Sequence, residues 1–540
     1  MAGPGKNASS LRPANDPSLL QVVERQNWNM NRIQIDGESL TLDLLYSIAL
    51  DGAEVELSQQ ARERMNASRV VVERLIESNV AVYGVNTGFG KMASVRISRE
   101  QIRTLQTNLV RSHACGVGAP LSEPEVRAML TLRANAIAKG FSGVRPVVAE
   151  TLCTMLNKRV HPAIPCQGSV GASGDLTPLA HLAQVAIGEG EVISQVRKMS
   201  GAEAMRNAGI APLVLEAKEG LALLNGTQAM LALLALGLRD AEVAADTADV
   251  AAALSLDALR GSPAAFDERI ALVRPYTGHA ISAKNLRRLN QGSAIRESHR
   301  APEKDPRVQD PYSLRCAPQV HGAARDALAQ VRATISVELN SATDNPLVFV
   351  GADGKSGSGE IISGGNFHGQ PLAMAADQLA VALVTLAGIS ERRIEQMTNP
   401  QSSQLPAFLI REAGLNSGFM ILQVAAAALA SEMKTQAAPH SVDSIPTSAN
   451  QEDYVSMGMS GARRIQPMLA NLRNVLAIEL LSACQGLDLL APLRTGAEAQ
   501  KAYDIVRSAS SFVGADRSLS GDIEAVASLI NEGKPAAILR

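Results

Sequence analysis

Residues 168–183 read GSVGASGDLTPLAHLA, and three of them, Ala172, Ser173 and Gly174, can react with one another. Gly174 has no side chain, so its backbone nitrogen can be pressed onto the carbonyl carbon of Ala172. Attack there closes a five-membered ring. Loss of one water gives an imidazolone, and loss of a second, from the Ser173 side chain, leaves an exocyclic methylidene. The product is a soft electrophile built only from the chain. The small side chain of Ala172 and the glycine at 171 leave it room. A helix starting near Leu176 would aim its amide dipoles at the ring oxygen. The tripeptide alone is common, and the plain alternative is a loop and helix start capped by Ser173 or Asp175.

Other polar residues gather in short loops: YGVNTGFGK (83–91), QDPYSLRC (309–316), ELNSATDNP (338–346), SGGNFHGQP (363–371) and SANQEDYVSM (448–457). The last four of these lie among apolar, alanine-rich segments at 220–259, 319–340, 370–397, 417–436 and 461–490. Those segments lack strand alternation and are apolar on more than one face, as in helices buried in a bundle or an oligomer core. Polar loops at the ends of such helices are where a site is expected. Upstream, 98–113 and 122–140 read as shorter helices, the second opened by Ser122 or Glu123 and closed by Gly140. Gly351–Glu360 reads as a surface turn or hairpin. The expected fold is all-α: a polar tail over 1–30, a smaller N-terminal domain over 31–220 that carries the Ala-Ser-Gly loop, and a long helical bundle over 221–540.

Bulk properties exclude several classes. The chain has 540 residues, a formal net charge of -2 and 3% aromatics. No basic run with interleaved aromatics calls for nucleic acid. The first residues lack the apolar stretch of a signal peptide. Apolar runs such as Ala229–Leu238 are about half of what a membrane span requires. The five cysteines are scattered with no C-x-x-C pair, which reads as reduced thiols in a cytoplasm. His161, His279, His299, His321 and His440 show no ligand spacing, so no metal is assigned. His181 reads as structural and His368 as backing for a site.

The Ala-Ser-Gly segment does not stand alone. Together with YGVNTGFG, TNLVRSHACGVG, KEGLALLNGTQ, QDPYSLRC, ELNSATDNPL, SGGNFHGQP and SVDSIPTSANQEDYVSM, it resembles the signature of the ammonia-lyases that use a methylidene-imidazolone (MIO) group. That family comprises the histidine, phenylalanine and tyrosine ammonia-lyases and related aminomutases. The resemblance runs over roughly residues 40–530. It implies an all-α homotetramer whose active sites draw on more than one subunit, an MIO formed autocatalytically from Ala172-Ser173-Gly174 with no external cofactor, and removal of ammonia and a β-proton from an L-aromatic amino acid.

The resemblance also implies roles. Tyr83 matches the catalytic base; a phenol of pKa about 10 must be tuned for that task, and Gly84, Gly88 and Gly90 would let its loop close. Arg315 matches the group that grips the substrate carboxylate with two parallel hydrogen bonds, and Tyr312 a second active-site tyrosine. Asn225 and Gln309 match polar contacts to the ring or the amino acid, and Phe367 an aromatic beside the ring. Asn345 reads as structural. His113, after Ser112, and Glu452 match the side-chain pocket. A carboxylate at 452 suits an imidazole N–H and would be stranded beside a benzene ring, which favours L-histidine and urocanate. NFHGQP is instead the spelling of tyrosine-type relatives, and Tyr454 stands where histidine lyases commonly carry a histidine, so that its phenol would narrow or re-polarise the pocket. A tyrosine or phenylalanine lyase giving 4-coumarate or cinnamate, a 2,3-aminomutase, and an inactive helical scaffold therefore stand as alternatives.

Overall fold

The computed structural model describes residues 32–78, 82–88, 90–92, 94–193, 198–305, 307–352 and 357–540. The tail expected over 1–30 lies outside them. The expected all-α architecture holds. Helices Gln228–Ala258, Ala317–Glu338, Gln370–Thr398, Met420–Gln436 and Ile465–Leu489 pack side by side as a long bundle. Alanine and leucine dominate their buried faces; Gln228–Ala258 is buried almost all round. Small side chains let such helices approach closely. Gln370–Thr398 is long and apolar enough to cross a membrane by length and composition. Here it is a core helix, packed on four others of the bundle's helices and short turns.

Two shorter expected helices form. Ile102–His113 follows a single 3-10 turn, and Glu123–Ala138 starts at Ser122, whose backbone N–H donates to the Glu125 carboxylate at 2.7 Å. From Val126 to Ala138 every residue of the second helix is buried, and it packs on the N-terminal part of the molecule and on Gln228–Ala258. The described strands form four two-stranded sheets. One pairs Leu347–Val350 with Gly359–Ile362, the hairpin expected around 351–360. The main hydrophobic core runs from Ile35 to Ile530, and residue 220 falls inside helix Glu219–Leu224.

The structure departs from the expected reading at 220–259. The chain makes two helices, Glu219–Leu224 and Gln228–Ala258, with Asn225-Gly226-Thr227 between them. Asn225 is extended (φ -90°, ψ 102°). A glycine inside a helix costs about 1 kcal/mol against alanine, a small penalty that apolar periodicity alone overrides. Here the freed backbone groups find other partners: the Asn225 carbonyl accepts from Arg133 at 2.9 Å and the Gly226 carbonyl from the Asp175 amide at 2.6 Å. The break turns an apparent core segment into part of a cavity wall.

Candidate active site

A cavity of about 690 Å³ is lined by Tyr83, His113, Ser173, Asn225, Phe367 and Glu452, with Ser112 beside His113. Six sequence-distant loops and helix ends thus meet at one place.

Ser173 sits in a turn that ends where helix Leu176–Ala186 begins. Gly174 pairs with Gly226 across the helix break. Its φ is +72°, and a Cβ there would lie 2.2 Å from the Gly226 carbonyl oxygen and 3.0 Å from that of Phe367. Only glycine fits both the backbone and the space. Asp175 holds the N-cap position of Leu176–Ala186, yet its side chain makes no capping bond there. Its Oδ2 accepts from the Met230 amide at 2.8 Å, in the first turn of the neighbouring Gln228–Ala258 helix. Burial pushes its carboxyl up to about 7, partly offset by the Met230 and Ala229 amides.

Tyr83 is half-buried, and the Gly90 N–H donates toward its hydroxyl at 3.4 Å. Burial raises the phenol's pKa, the Gly90 amide opposes this, and the Glu452 charge raises it further. Gly84 (φ +75°) lets the loop lie on Leu221 and Pro346; a Cβ would come within 2.6 and 3.0 Å of them.

His113 is the last residue of its helix. Nδ1 lies 2.9 Å from the Leu109 carbonyl, which can only accept, so in the neutral ring the proton is on Nδ1 and Nε2 is an acceptor. Burial lowers its pKa, against the Leu109 carbonyl and the Glu452 charge. Glu452 is oriented by Thr447, whose hydroxyl donates to Oε2 at 2.8 Å, and whose backbone pairs with its own. Asn225 donates from Nδ2 to the Asn345 carbonyl at 2.9 Å, while its Oδ1 is buried without a partner. Leaving such an oxygen unmatched costs about 1–3 kcal/mol.

Three residues singled out in the sequence do not line this cavity within one chain. Gln309 and Tyr312 are exposed, Tyr312 by 69%. Arg315 donates from Nε to the Asp310 carbonyl at 3.0 Å, and its guanidinium lies 4.4 Å from the Tyr312 ring centroid. Arg315 thus stacks on the exposed Tyr312 ring. Tyr454, expected to narrow or re-polarise the pocket, stacks instead on His368 with centroids 6.3 Å apart and is absent from the cavity wall. Gly369, next to His368, packs on helix Gln228–Ala258: a Cβ there would lie 2.5 Å from the Met230 sulfur. His181 accepts from the Gly116 amide at 3.0 Å, a structural role as expected.

Sequence reasoning missed part of the wall. Asn345, read as structural, lines the cavity along with Ser448 and Gln451. Ser448, Ala449 and Asn450 all have left-handed φ, from 50° to 65°. Only the asparagine is a residue type that announces this conformation, so the sequence carried one weak signal for a strained turn.

Residues 40–508 match the family model for aromatic amino acid lyases. The histidine ammonia-lyase of Koribacter versatilis (strain Ellin345) is 54% identical over 519 residues, 95% of this chain and 100% of that protein. The one from Myxococcus xanthus (strain DK1622) is 51% identical over 509 residues, 94% of this chain and 98% of that protein. Among solved structures, histidine ammonia-lyase from Trypanosoma cruzi superposes with a TM-score of 0.86 at 43% identity, covering 94% of this chain and 95% of that one. A tyrosine aminomutase from Streptomyces globisporus gives 0.89 at 38% identity, covering 94% and 98%. Likeness of this extent spans both the bundle and every loop that walls the cavity, and the chain belongs to the aromatic amino acid lyase family.

Proposed function

We propose that this protein eliminates ammonia from L-histidine to give urocanate, using an MIO group formed from Ala172-Ser173-Gly174. The observation that carries the substrate is the pairing of Glu452 and His113 on the wall that also holds Ser173. The neutral His113 ring offers an acceptor nitrogen, and Glu452 offers a carboxylate fixed by Thr447. Both suit a protonated substrate imidazole, whose two N–H groups are donors. The histidine ammonia-lyases similar to this chain support the same substrate. Tyr454, a departure from the histidine-lyase spelling, lies off the cavity wall.

The residues present fit the ring. Gly174 is held against Gly226 with no space for a Cβ, Ser173 faces the cavity, and helix Leu176–Ala186 starts just beyond. When formed, the group supplies an electrophilic carbon for the substrate's amino group, which otherwise leaves poorly. The chain's own residues do the rest. Tyr83 takes the β-proton, with the Gly90 N–H available to the phenolate oxygen. The Asn225 Oδ1, unmatched inside the protein, awaits a donor. Phe367 closes the wall beside Gly174.

Gln309, Tyr312 and Arg315 serve the cavity of a neighbouring copy, where Arg315 grips the carboxylate, and the protein is a homotetramer. Exposed apolar residues on two bundle helices, Met374, Val381, Ile421 and Val424, supply a surface for that assembly. Chains carrying Tyr83→Phe and chains carrying Arg315→Met, each strongly impaired alone, will regain about a quarter of wild-type turnover when co-expressed in equal amounts. Random mixing of two chains in a symmetric oligomer gives that fraction of competent sites. No rescue would place both residues in one chain's site. The five cysteines are unpaired, and burial pushes the Cys153 and Cys484 thiols up to about 12; a cytoplasmic location accords with this.

The direct experiment incubates the protein separately with L-histidine, L-tyrosine and L-phenylalanine and scans the ultraviolet for each conjugated acid. Urocanate is expected to predominate; predominant 4-coumarate or cinnamate would overturn the substrate. Glu452→Gln will lower kcat/KM for L-histidine roughly ten- to a hundredfold, the worth of a hydrogen bond to a charged group. Turnover of L-tyrosine, which brings no imidazole N–H, will fall less.

A further inference from the structure

One buried ion pair underlies several segments of the cavity wall. Lys218 Nζ lies 2.8 Å from Asp344 Oδ2, and the two side chains are 0% and 2% exposed. Local structure gives no reason for a lysine at 218. It occupies the N-cap of Glu219–Leu224 with φ 74°, a left-handed conformation that lysine adopts at a cost. A cation at a helix N-terminus also opposes the macrodipole. Its position makes sense through what Asp344 holds.

The other Asp344 oxygen, Oδ1, accepts from the Asn345 amide at 2.6 Å. The Asn345 carbonyl then accepts from Asn225 Nδ2 at 2.9 Å, and its Oδ1 accepts from the Gly364 amide at 2.7 Å and the Ser363 hydroxyl at 3.2 Å. Asn225, Asn345, Ser363 and Gly364 all line the cavity. The Tyr83 loop rests on the same structure: a Cβ on Gly84 would lie 3.0 Å from Pro346 Cδ and 3.8 Å from Lys218 Cδ. A second buried cation, Arg133, holds the Asn225 carbonyl at 2.9 Å. The Asn225 backbone and side chain are therefore fixed independently, by Arg133 on one side and by Asp344 through Asn345 on the other.

We propose that Lys218 and Asp344 are positioning residues for Asn225: the pair fixes Asn345, whose carbonyl sets the orientation in which Asn225 keeps its unpartnered oxygen for the reacting amino acid. Lys218 neutralises an aspartate that would otherwise be stranded in the interior, and Asp344 supplies the acceptor that locks Asn345. The functional part rests on the lyase reading of the site; the geometric part does not.

Removing one partner of a buried pair leaves an uncompensated charge and can prevent folding, so the test uses neutral double variants. Lys218→Met/Asp344→Asn retains an acceptor for the Asn345 amide; Lys218→Met/Asp344→Ala does not. Both are checked for equal melting temperature and for the mass loss of a cyclised chain. The first is expected to keep kcat/KM within about threefold of wild type, and the second to lose about tenfold or more, the scale of one hydrogen bond that orients a reacting group. In an Asn225→Ala background, exchanging Asn for Ala at 344 is expected to change turnover by less than about twofold, because residues acting through one group are not additive. Equal losses in both backgrounds would overturn the proposal. A crystal structure of the Ala double variant reads the same claim without turnover, and so separates it from the substrate assignment. Asn225 rotated away from residue 345 is expected; Asn225 unmoved would overturn the positioning role.

Discussion

Ser173→Ala will give a folded protein that turns over L-histidine at least about a thousandfold more slowly than wild type, the scale on which loss of a covalent catalytic group acts. The side chain lost is a single hydroxyl in a turn beside the cavity, so the fold has little reason to respond. Thermal melting is expected within the range of ordinary surface substitutions, about 0.5 kcal/mol. The chemistry has every reason to respond. The β-elimination of the second water requires an oxygen on residue 173; alanine has none, and the exocyclic methylidene cannot form. Intact mass checks this directly: wild type is expected lighter than its sequence by two waters, and the variant is not. A fully active Ser173→Ala protein would refute covalent catalysis at this residue. A wild-type chain at full mass, inactive on all three amino acids, would instead favour a scaffold that keeps the fold without the reaction.

How much of this site the sequence disclosed depends on the physics behind each residue. The Ala172-Ser173-Gly174 segment was legible through the motifs around it, because the tripeptide alone is common; the chemistry proposed for it is local, and the helix beyond it starts at Leu176 as expected. The bundle was legible because apolar residues on several faces admit few other environments. The break at Asn225 was not, because its cause lies elsewhere in the chain, in the Arg133 guanidinium and the Asp175 amide that take up the freed carbonyls. Lys218 was invisible for the opposite reason. A lysine in a sequence reads as solvated, and only the fold shows it fully buried against Asp344. Asn345 was seen as a turn residue, which it is; that the turn's carbonyl braces Asn225 is a tertiary fact. Gln309, Tyr312 and Arg315 mark a limit of another kind. Their roles come from the family resemblance, and within one chain they lie away from the cavity wall.

Tyr83→Phe will lower kcat by about 10²–10⁴, the usual contribution of a positioned general base, while KM for L-histidine changes little because the ring volume is kept. The pH profile gives the sharper test. Only the phenolate can accept the β-proton, so turnover rises with pH until the phenol's pKa in the site is passed. Within one chain burial holds that pKa above the ordinary value, and Glu452 pushes it the same way, with the Gly90 amide alone opposing. The acid limb of kcat is therefore expected to climb about tenfold per pH unit through neutral pH. Cations brought by the neighbouring copy's Arg315 would shift it downward. Glu452→Gln removes a negative neighbour and should move the limb to lower pH even as binding of histidine weakens, so kcat and KM both rise at neutral pH, with opposite effects on kcat/KM. Tyr83→Phe should leave a residual rate without that limb. If the limb survived Tyr83→Phe unchanged, or moved to higher pH in Glu452→Gln, the proton would have to be leaving by way of another group.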